Sequence, residues 1–364
     1  MRRRIRMRVV VLGGYGNFGA RICRALAHDD RIEVIAAGRA ARGGNSARLD
    51  LESAGFPAAL KALAPGVVIH CAGPFQGQDY RVAEAALAAG AHYIDLADGR
   101  EFVASFAERM DVAATAADLI AVTGASTLPA LSSAVIDSLA GRFRAIGEIQ
   151  ISIAPGQRAP RGTATLAGVF SYAGRSFRWM NDGRWAEAWG WQELRRLRFA
   201  GFGTRWAAAC DVPDLELLPK RYAGVKTLQF RAALELCVQH FALWLAAALR
   251  RAGVPLPLER WAGPLNRLAS CLDGFGSDTG GMLVSLAGTR ADGGRARVEW
   301  HLTAPGGHGP EIPCMAAILL ARKLARGELS ARGAFACIGI LGLADFEPEF
   351  AKWGITTVVE EGMA

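Results

Sequence analysis

The feature that most constrains the fold is a glycine-rich turn near the start of the chain. An apolar run, Val9–Leu12, leads directly into the letters GGYGNFG at residues 13–19. Gly14, Gly16 and Gly19 have the spacing GxGxxG, placed after a predicted strand and before a predicted helix. The first glycine allows a tight turn, the second lets backbone approach a pyrophosphate, and the third lets helix and strand pack closely. The turn therefore predicts a dinucleotide-binding βαβ unit. We assign further contacts with the cofactor to Tyr15, Asn17 and Phe18.

The surrounding sequence repeats the same rhythm of short apolar runs and helical segments. Buried parallel strands are typically continuous runs of branched apolar residues, with crossover helices between them. The predicted strands are Val9–Leu12, Glu33–Ala37, Val67–Cys71, His92–Leu96 and Leu119–Val122. The predicted helices include Phe18–Ala27, Asp79–Ala89 and Arg100–Ala117. This order predicts a Rossmann-type α/β domain with a doubly wound parallel sheet over residues 1–140.

The pattern changes after about residue 145. Residues 148–153 and 295–302 alternate polar and apolar side chains, as strands with one wet face do. The run Met282–Ala287 precedes the second of these, and Asp292-Gly293-Gly294 between them predicts a hairpin. All nine tryptophans lie beyond residue 178. We expect a second, α+β domain with an antiparallel sheet at 141–310, and a segment at 311–364 that returns to the first domain.

The end of the second strand bears on the choice of cofactor. NAD-binding domains place an acid there for the ribose 2′-hydroxyl, whereas this chain has Ala36-Ala37-Gly38-Arg39, followed by Arg42. An arginine suits a 2′-phosphate through a charge-assisted pair, so Arg39 favours NADP over NAD. Arg39 could also stack on the adenine or point to water. The next strand leads into a segment assigned to the cofactor, Cys71, Ala72, Gly73, Pro74 and Phe75, whose small residues let a cofactor come close.

Charged residues lie in and just after the predicted strand His92–Leu96. Asp95 can cap or brace its loop, while Asp98 and Arg100 are better placed to face a substrate. We assign Asp98 as a proton carrier and Arg100 as an anchor for an anionic group. Tyr80 is a second candidate proton carrier.

These segments together resemble a known family. The letters GGYGNFG, AGR, VVIHCAGPF and HYIDLADGREF, in this order, are similar to the NADP-binding domain of the saccharopine dehydrogenase-like (saccharopine reductase-like) oxidoreductases over residues 8–135. A weaker similarity recurs around Pro313–Gly342. The resemblance implies NADP, a second mixed α/β domain, and hydride transfer to or from an imine or amine.

The resemblance ends where the family handles its substrate. Saccharopine reductases have a GLDPG turn after the sixth strand, and the corresponding letters here are GASTLP, with Ser126 where the aspartate is expected. A hydroxyl cannot hold an ammonium or transfer a proton as a carboxylate does. We therefore expect an oxidoreductase whose substrate is not saccharopine, with Ser126 in its site. The alternatives are a non-enzymatic sensor that binds NADP, or a binding protein of a membrane surface.

Composition limits other functions and the compartment. The net charge of +8 owes much to five arginines within the first eight residues, which we interpret as a short solvated arm. The seven scattered cysteines favour a reducing, cytoplasmic location over a disulfide framework or zinc site. We find no motif for a metal, a serine hydrolase or nucleic-acid binding. The aromatic and basic segment 175–206 is our candidate for a lid over a largely apolar substrate.

One apolar stretch, Ala232–Leu249, reaches the lower length limit of a membrane-spanning helix. Glu235, Gln239 and His240 would be costly within lipid, so we expect no transmembrane span. The stretch can be a core helix, a subunit interface or a membrane-surface helix. We expect a homodimer formed largely through the second domain.

Overall fold

The first part of the chain alternates strands and helices, as predicted. A computed structural model describes residues 6–362. Its strands are β1 (Met7–Leu12), β2 (Ile32–Gly38), β3 (Ser46–Arg48), β4 (Val67–His70), β5 (His92–Asp95) and β6 (Ile120–Thr123). Its helices are α1 (Asn17–Leu26), α2 (Phe56–Ala62), α3 (Arg81–Ala88) and α4 (Arg100–Ala116). A wide turn at Thr127–Leu131 follows β6.

The middle of the chain is rich in strands. Its helices are α5 (Ser132–Ala140), α6 (Thr163–Tyr172), α7 (Asp214–Arg221), α8 (Cys237–Arg251) and α9 (Ala262–Ser270). Its strands are β7 (Ala145–Ala154), β8 (Ser176–Asn181), β9 (Arg184–Trp189), β10 (Arg195–Phe199), β11 (Gly203–Ala209), β12 (Thr227–Ala233), β13 (Gly280–Thr289) and β14 (Arg295–Ala304). The last part comprises α10 (Ile312–Arg326), β15 (Gly333–Ala336), α11 (Leu343–Lys352) and β16 (Thr356–Gly362).

Two sheets organise these elements. The first is parallel, with the strand order β15-β6-β5-β4-β1-β2-β3. The second has the order β10-β11-β12-β7-β13-β14-β16, and β8 pairs with β12 and β9. It is mostly antiparallel, with a parallel pair between β7 and β12. The predicted fold class, a Rossmann-type sheet with a second α+β domain, is confirmed.

The sheets belong to two compact units, each built from two pieces of chain. Unit 1 contains the chain up to Leu131 together with Glu311–Leu341, and unit 2 contains Ser132–Pro310 and the chain from Gly342 onward. The segment after residue 310, predicted to pack near the first domain, is therefore divided between the two units. Strand β15 extends the parallel sheet beside β6, whereas β16 pairs antiparallel with β14.

Three local features predicted from the sequence can be compared with the structure: the hairpin, the aromatic and basic segment, and the arginine arm. Strands β13 and β14 form the predicted hairpin, with Thr289 opposite Arg295. The segment 175–206, the lid candidate, contains strands β8 to β11 of unit 2. Of the arginine arm, residues 1–5 lie outside the described range. Arg8 is part of β1, where it bonds Glu33 at 3.1 Å.

The apolar stretch Ala232–Leu249 divides between two elements. Its first residues end β12, and its helix is α8, which starts at Cys237. Between residues 6 and 362, every helix falls short of the length and hydropathy that crossing a bilayer demands.

Candidate dinucleotide site

The glycine-rich turn joins β1 to α1 in a conformation that other residues would not allow. Gly13 has φ +75°, in the left-handed region. A Cβ on Gly14 would lie 2.9 Å from the Val11 carbonyl oxygen, and one on Gly19 would lie 2.2 Å from that of Gly13. The third glycine thus permits the close approach of helix and strand that its place in the motif predicts.

The N terminus of α1 is open for an anion. Its cap residue, Gly16, supplies no side-chain hydrogen bond, and the first turn holds no acidic residue. The first N–H groups of a helix have no acceptor within it, and the helix dipole favours negative charge there. These are the features that a pyrophosphate group requires, so the residues present fit a dinucleotide.

Cationic side chains surround the tip of β2. The Tyr15 hydroxyl donates to the Ala36 carbonyl at 3.2 Å, and its ring packs so closely on Gly38 that a Cβ there would be 3.0 Å away. The Arg42 guanidinium lies 4.9 Å from the centre of the Tyr15 ring. Arg39 is exposed, and Arg48 lies next to Gly38 across the β2–β3 pair. Three arginines therefore gather where a ribose phosphate would bind.

The loop after β4 is fixed beside the glycine-rich turn. The Cys71 N–H donates to the Leu12 carbonyl at 2.9 Å, and a Cβ on Gly13 would lie 3.1 Å from the Cys71 and Ala72 backbone. The Gln78 amide holds the loop from its other side through the carbonyls of Ala72 and Pro74, at 2.9 and 2.6 Å. Burial raises the pKa of the Cys71 thiol, so it remains protonated.

A buried carboxylate links the two loops that follow. Oδ1 of Asp95 accepts hydrogen bonds from the Ala97 N–H at 2.9 Å, the Thr123 hydroxyl at 2.9 Å and the Gly124 N–H at 2.8 Å. Burial raises the pKa of Asp95 to about 6, and these hydrogen bonds oppose the shift. The carboxylate thus braces the loops that hold Asp98 and Ser126, as its position in the sequence allowed.

A second buried pair below the same sheet edge was not predicted. Nδ1 of His70, at the end of β4, lies 3.2 Å from the Tyr93 hydroxyl. Burial lowers the pKa of His70 to about 4, so the ring is neutral at physiological pH. The only signal for this pair is a residue with a polar group in each of two neighbouring strands, His70 at the end of β4 and Tyr93 within β5.

The predicted substrate residues lie on the loops at this edge of unit 1. Asp98 accepts a hydrogen bond from the Gln76 amide at 3.2 Å. Its side chain is exposed, yet its crowded surroundings raise the pKa of its carboxyl. Arg100 begins α4, and Ser126 is half-buried after β6.

Tyr80 is placed less favourably for proton transfer. Its hydroxyl donates to the Phe102 carbonyl at 2.9 Å, and its ring packs on Phe102 and Phe106. This bond occupies the proton that a carrier would have to release. We therefore interpret Tyr80 as a packing residue of α3 and α4.

Unit 2 contains one cluster with the composition of a metal site. Ligand atoms of Glu299, His301 and Glu360 lie within 4.8 Å of one another. Nδ1 of His301 accepts the Ala200 N–H at 3.2 Å, which places the proton of the neutral ring on Nε2. That nitrogen faces the two carboxylates at 3.7 and 3.8 Å. A protonated Nε2 cannot coordinate a cation, so the cluster does not fit a metal ion.

The fold and site together define a two-unit protein whose first unit is a Rossmann-type sheet with a glycine-rich turn between β1 and α1. The fold is that of apo saccharopine dehydrogenase (L-Glu forming) from Saccharomyces cerevisiae, with a TM-score of 0.64 at 12% identity over 98% of this chain and 100% of that one. An engineered D-amino acid dehydrogenase bound to NADP+ is also similar, with a TM-score of 0.50 at 14% identity over 94% of this chain and 98% of that one. No family model and no curated protein matches the sequence.

Proposed function

We propose that the protein is an NADP-dependent oxidoreductase of the saccharopine dehydrogenase-like type, acting on a substrate other than saccharopine. The observation that carries the proposal is the glycine turn of residues 13–19, which leads into an uncapped helix N terminus. The fold shared with saccharopine dehydrogenase supports it. Gly14 to Gly19 would bind the pyrophosphate, with Cys71 to Phe75 alongside it.

The choice of NADP rests on the cations at the tip of β2. Arg39, Arg42 and Arg48 are all exposed there. An exposed guanidinium can form a charge-assisted pair with a 2′-phosphate, and the stacking of Arg42 on Tyr15 orients one such group. A 2′-hydroxyl would leave this excess positive charge without a partner.

The chemistry would take place over the loops that Asp95 braces. The nicotinamide cofactor supplies or accepts the hydride when it is bound. Arg100 would hold an anionic group of the substrate, and Asp98 would exchange a proton with it through its carboxylate. Ser126 can donate or accept a hydrogen bond but carries no charge, which argues against the multiply charged saccharopine. Trp179 and Trp191 of the segment 175–206 are buried within unit 2, so they would not contact a substrate.

Titration calorimetry with NADP and NAD tests the cofactor, and NADPH oxidation tests the reaction. We expect NADP to bind more tightly than NAD, and a screen of imines, keto acids and enoyl compounds to give turnover. Absence of binding of either nucleotide below millimolar concentration would overturn the proposal. Binding of NADP without turnover in any substrate class would instead favour a redox sensor.

For assembly we propose a homodimer that pairs the β16 strands of two copies. Strand β16 ends the path of the second sheet, and Val358 and Val359 are exposed. An antiparallel pairing of the letters TTVVEE with themselves sets valine opposite valine and threonine opposite glutamate. Glu361 already pairs with Arg142 at 2.5 Å and Arg290 at 2.8 Å, which reduces repulsion between the two strands. A free strand edge is a ready template for such pairing.

We also place the protein in the cytoplasm. All seven cysteines are free thiols, including Cys237 and Cys271, which are exposed. Exposed thiols without disulfide partners suit a reducing compartment.

A further inference from the structure

Helix α8 of unit 2 exposes a continuous apolar stripe. Val238, Phe241, Leu245 and Leu249 have exposed fractions of 65%, 37%, 53% and 44%. They recur every three or four residues, so they lie on one face of the helix. The opposite face is anchored in the unit, where His240 is buried and its carbonyl accepts the Trp191 indole N–H at 3.2 Å.

The neighbouring helix extends this surface. The Gln239 amide, near the start of α8, donates to the Ala269 carbonyl near the end of α9 at 3.1 Å. Near the end of α8, Arg250 pairs with Glu259, just before the start of α9, at 3.3 Å. These side-chain links join opposite ends of the two helices, so the helices run antiparallel. Two further apolar side chains are exposed here, Trp261 just before α9 at 43% and Leu268 within α9 at 66%. We call these six apolar residues the apolar face.

The charges near the apolar face are unbalanced. Residues 237–270 contain four arginines and one acidic residue, Glu259. That carboxylate is engaged by Arg250 and by Arg175 at 3.6 Å. Arg251, Arg260 and Arg267 are exposed, and none of them has a carboxylate partner between residues 6 and 362. The arginines that flank the apolar face in sequence thus carry positive charge that no carboxylate neutralises, and Arg251 also lies over the Trp189 ring at 4.7 Å.

We infer that the apolar face binds the surface of an anionic phospholipid bilayer. Leucine and aromatic side chains on one face of a helix, with arginines at its border, are the pattern of an interfacial helix. The apolar side chains would enter the headgroup region, and the arginines would pair with lipid phosphates. A second copy of the chain fits less well, because a two-fold axis would set the same arginines against one another. Helix α8, with 15 residues, is too short to span a bilayer, which takes about 20.

Cosedimentation of the full chain with vesicles tests the inference. We expect binding to vesicles of phosphatidylglycerol mixed with phosphatidylcholine, and much weaker binding to phosphatidylcholine alone or at high salt. Leu245→Asp should lower the affinity for the anionic vesicles at least about tenfold, because it places a charge in the apolar face. The matched control is Val112→Asp on α4, since Val112 is 81% exposed in unit 1 and its variant should bind as the wild type does. The triple variant Arg251→Gln, Arg260→Gln, Arg267→Gln should lose the preference for anionic lipid.

Circular dichroism of each variant distinguishes a loss of binding from a loss of folding. The variant Leu268→Asp makes the same test on helix α9. The inference is overturned if the wild type does not bind anionic vesicles, or if Leu245→Asp and Leu268→Asp bind as well as it does. A wild-type dimer that Leu245→Asp dissociates, without vesicle binding by either, would assign the apolar face to a second copy and overturn it equally.

Discussion

The side chain of Asp95 and the main chain of Gly124 are joined by a hydrogen bond of 2.8 Å, which connects the end of β5 to the loop after β6. The carbonyl of Asp95 adds a second link by accepting the Ala125 N–H at 2.8 Å. Both loops carry residues of the proposed substrate site, so the geometry of that site depends on a residue that need not touch the substrate.

The charge of Asp95 should make stability depend on pH. Its pKa rises from 3.8 in the unfolded chain to about 6 in the fold, so the folded protein keeps a proton that the unfolded chain loses. The stability from this group is full below about pH 4 and is lost as the pH rises through about 6. Asp95→Asn retains the acceptor Oδ1 and removes the titration. From well below pH 4 to well above pH 6 the wild type should lose about 3 kcal/mol more unfolding free energy than the variant, measured by denaturant titration. Parallel pH profiles of the two proteins would contradict this assignment.

The arginine at the tip of β2 should determine nucleotide preference. Arg39→Asp removes a charge-assisted pair and adds repulsion, so affinity for NADP should fall at least about tenfold more than affinity for NAD. Calorimetry with both nucleotides measures the change. Arg31→Asp, an exposed arginine just before the opposite end of β2, is the matched control. An unchanged ratio of affinities in Arg39→Asp would show that this arginine does not contact the 2′-phosphate.

Two glycines of the same turn should respond differently to alanine. At Gly19 the new Cβ would lie 2.2 Å from the Gly13 carbonyl oxygen, within the packing of α1 on β1. Gly19→Ala should therefore destabilise the fold by about 1–3 kcal/mol. At Gly16 the nearest atom to a Cβ is that same oxygen at 3.2 Å, so Gly16→Ala should fold and lose nucleotide affinity. Thermal unfolding and calorimetry distinguish the two, and equal effects of both changes would be evidence against the assigned roles.

Strand β16 gives a prediction on assembly. In the variant Val359→Lys, the new cation would lie opposite Val358 of the second copy. It would also lie close to the same substituted side chain of that copy, across the two-fold axis, and both effects disfavour pairing. Light scattering at micromolar concentration should show a dimer for the wild type and for Val112→Lys, and the 38.6 kDa monomer for the variant. A wild-type monomer would refute the dimer, and a dimeric Val359→Lys would place the interface elsewhere.

Sequence patterns predicted the parallel sheet well because its central strands are buried on both faces. Strands β1 and β4 to β6 are runs of apolar residues between turns or helices, and that pattern is local. Strand β3, with three residues, is too short to leave a pattern, so the place of Arg48 beside Gly38 could not be predicted. The sequence predicted that Asp95 can brace a loop, but it did not identify the partners, because Thr123 and Gly124 are distant from Asp95 in sequence.

The segment 175–206 shows how composition can mislead. Its tryptophans and arginines suggested a lid, but those of β8 alternate between a buried and an exposed face. In β8, Phe177 and Trp179 are buried while Arg178 is exposed. A period of two indicates a strand with one covered face, and here that period is more informative than the residue types. The cation-π contact of Arg231 with Trp179, at 4.9 Å, joins such a buried ring to the next strand of the sheet.

The pairing of β15 with β6 limits how this protein can be divided. A fragment that ends near residue 140 would include every predicted strand of the nucleotide-binding unit but would lack β15. Strand β6, whose four residues are buried, would then become an unpaired edge strand of the sheet. Any other extended chain could pair with it. Such a truncation should aggregate instead of yielding a small soluble module. A stable fragment of unit 1 would also need residues Glu311 to Leu341. They could be fused to the fragment or expressed as a separate complementing peptide.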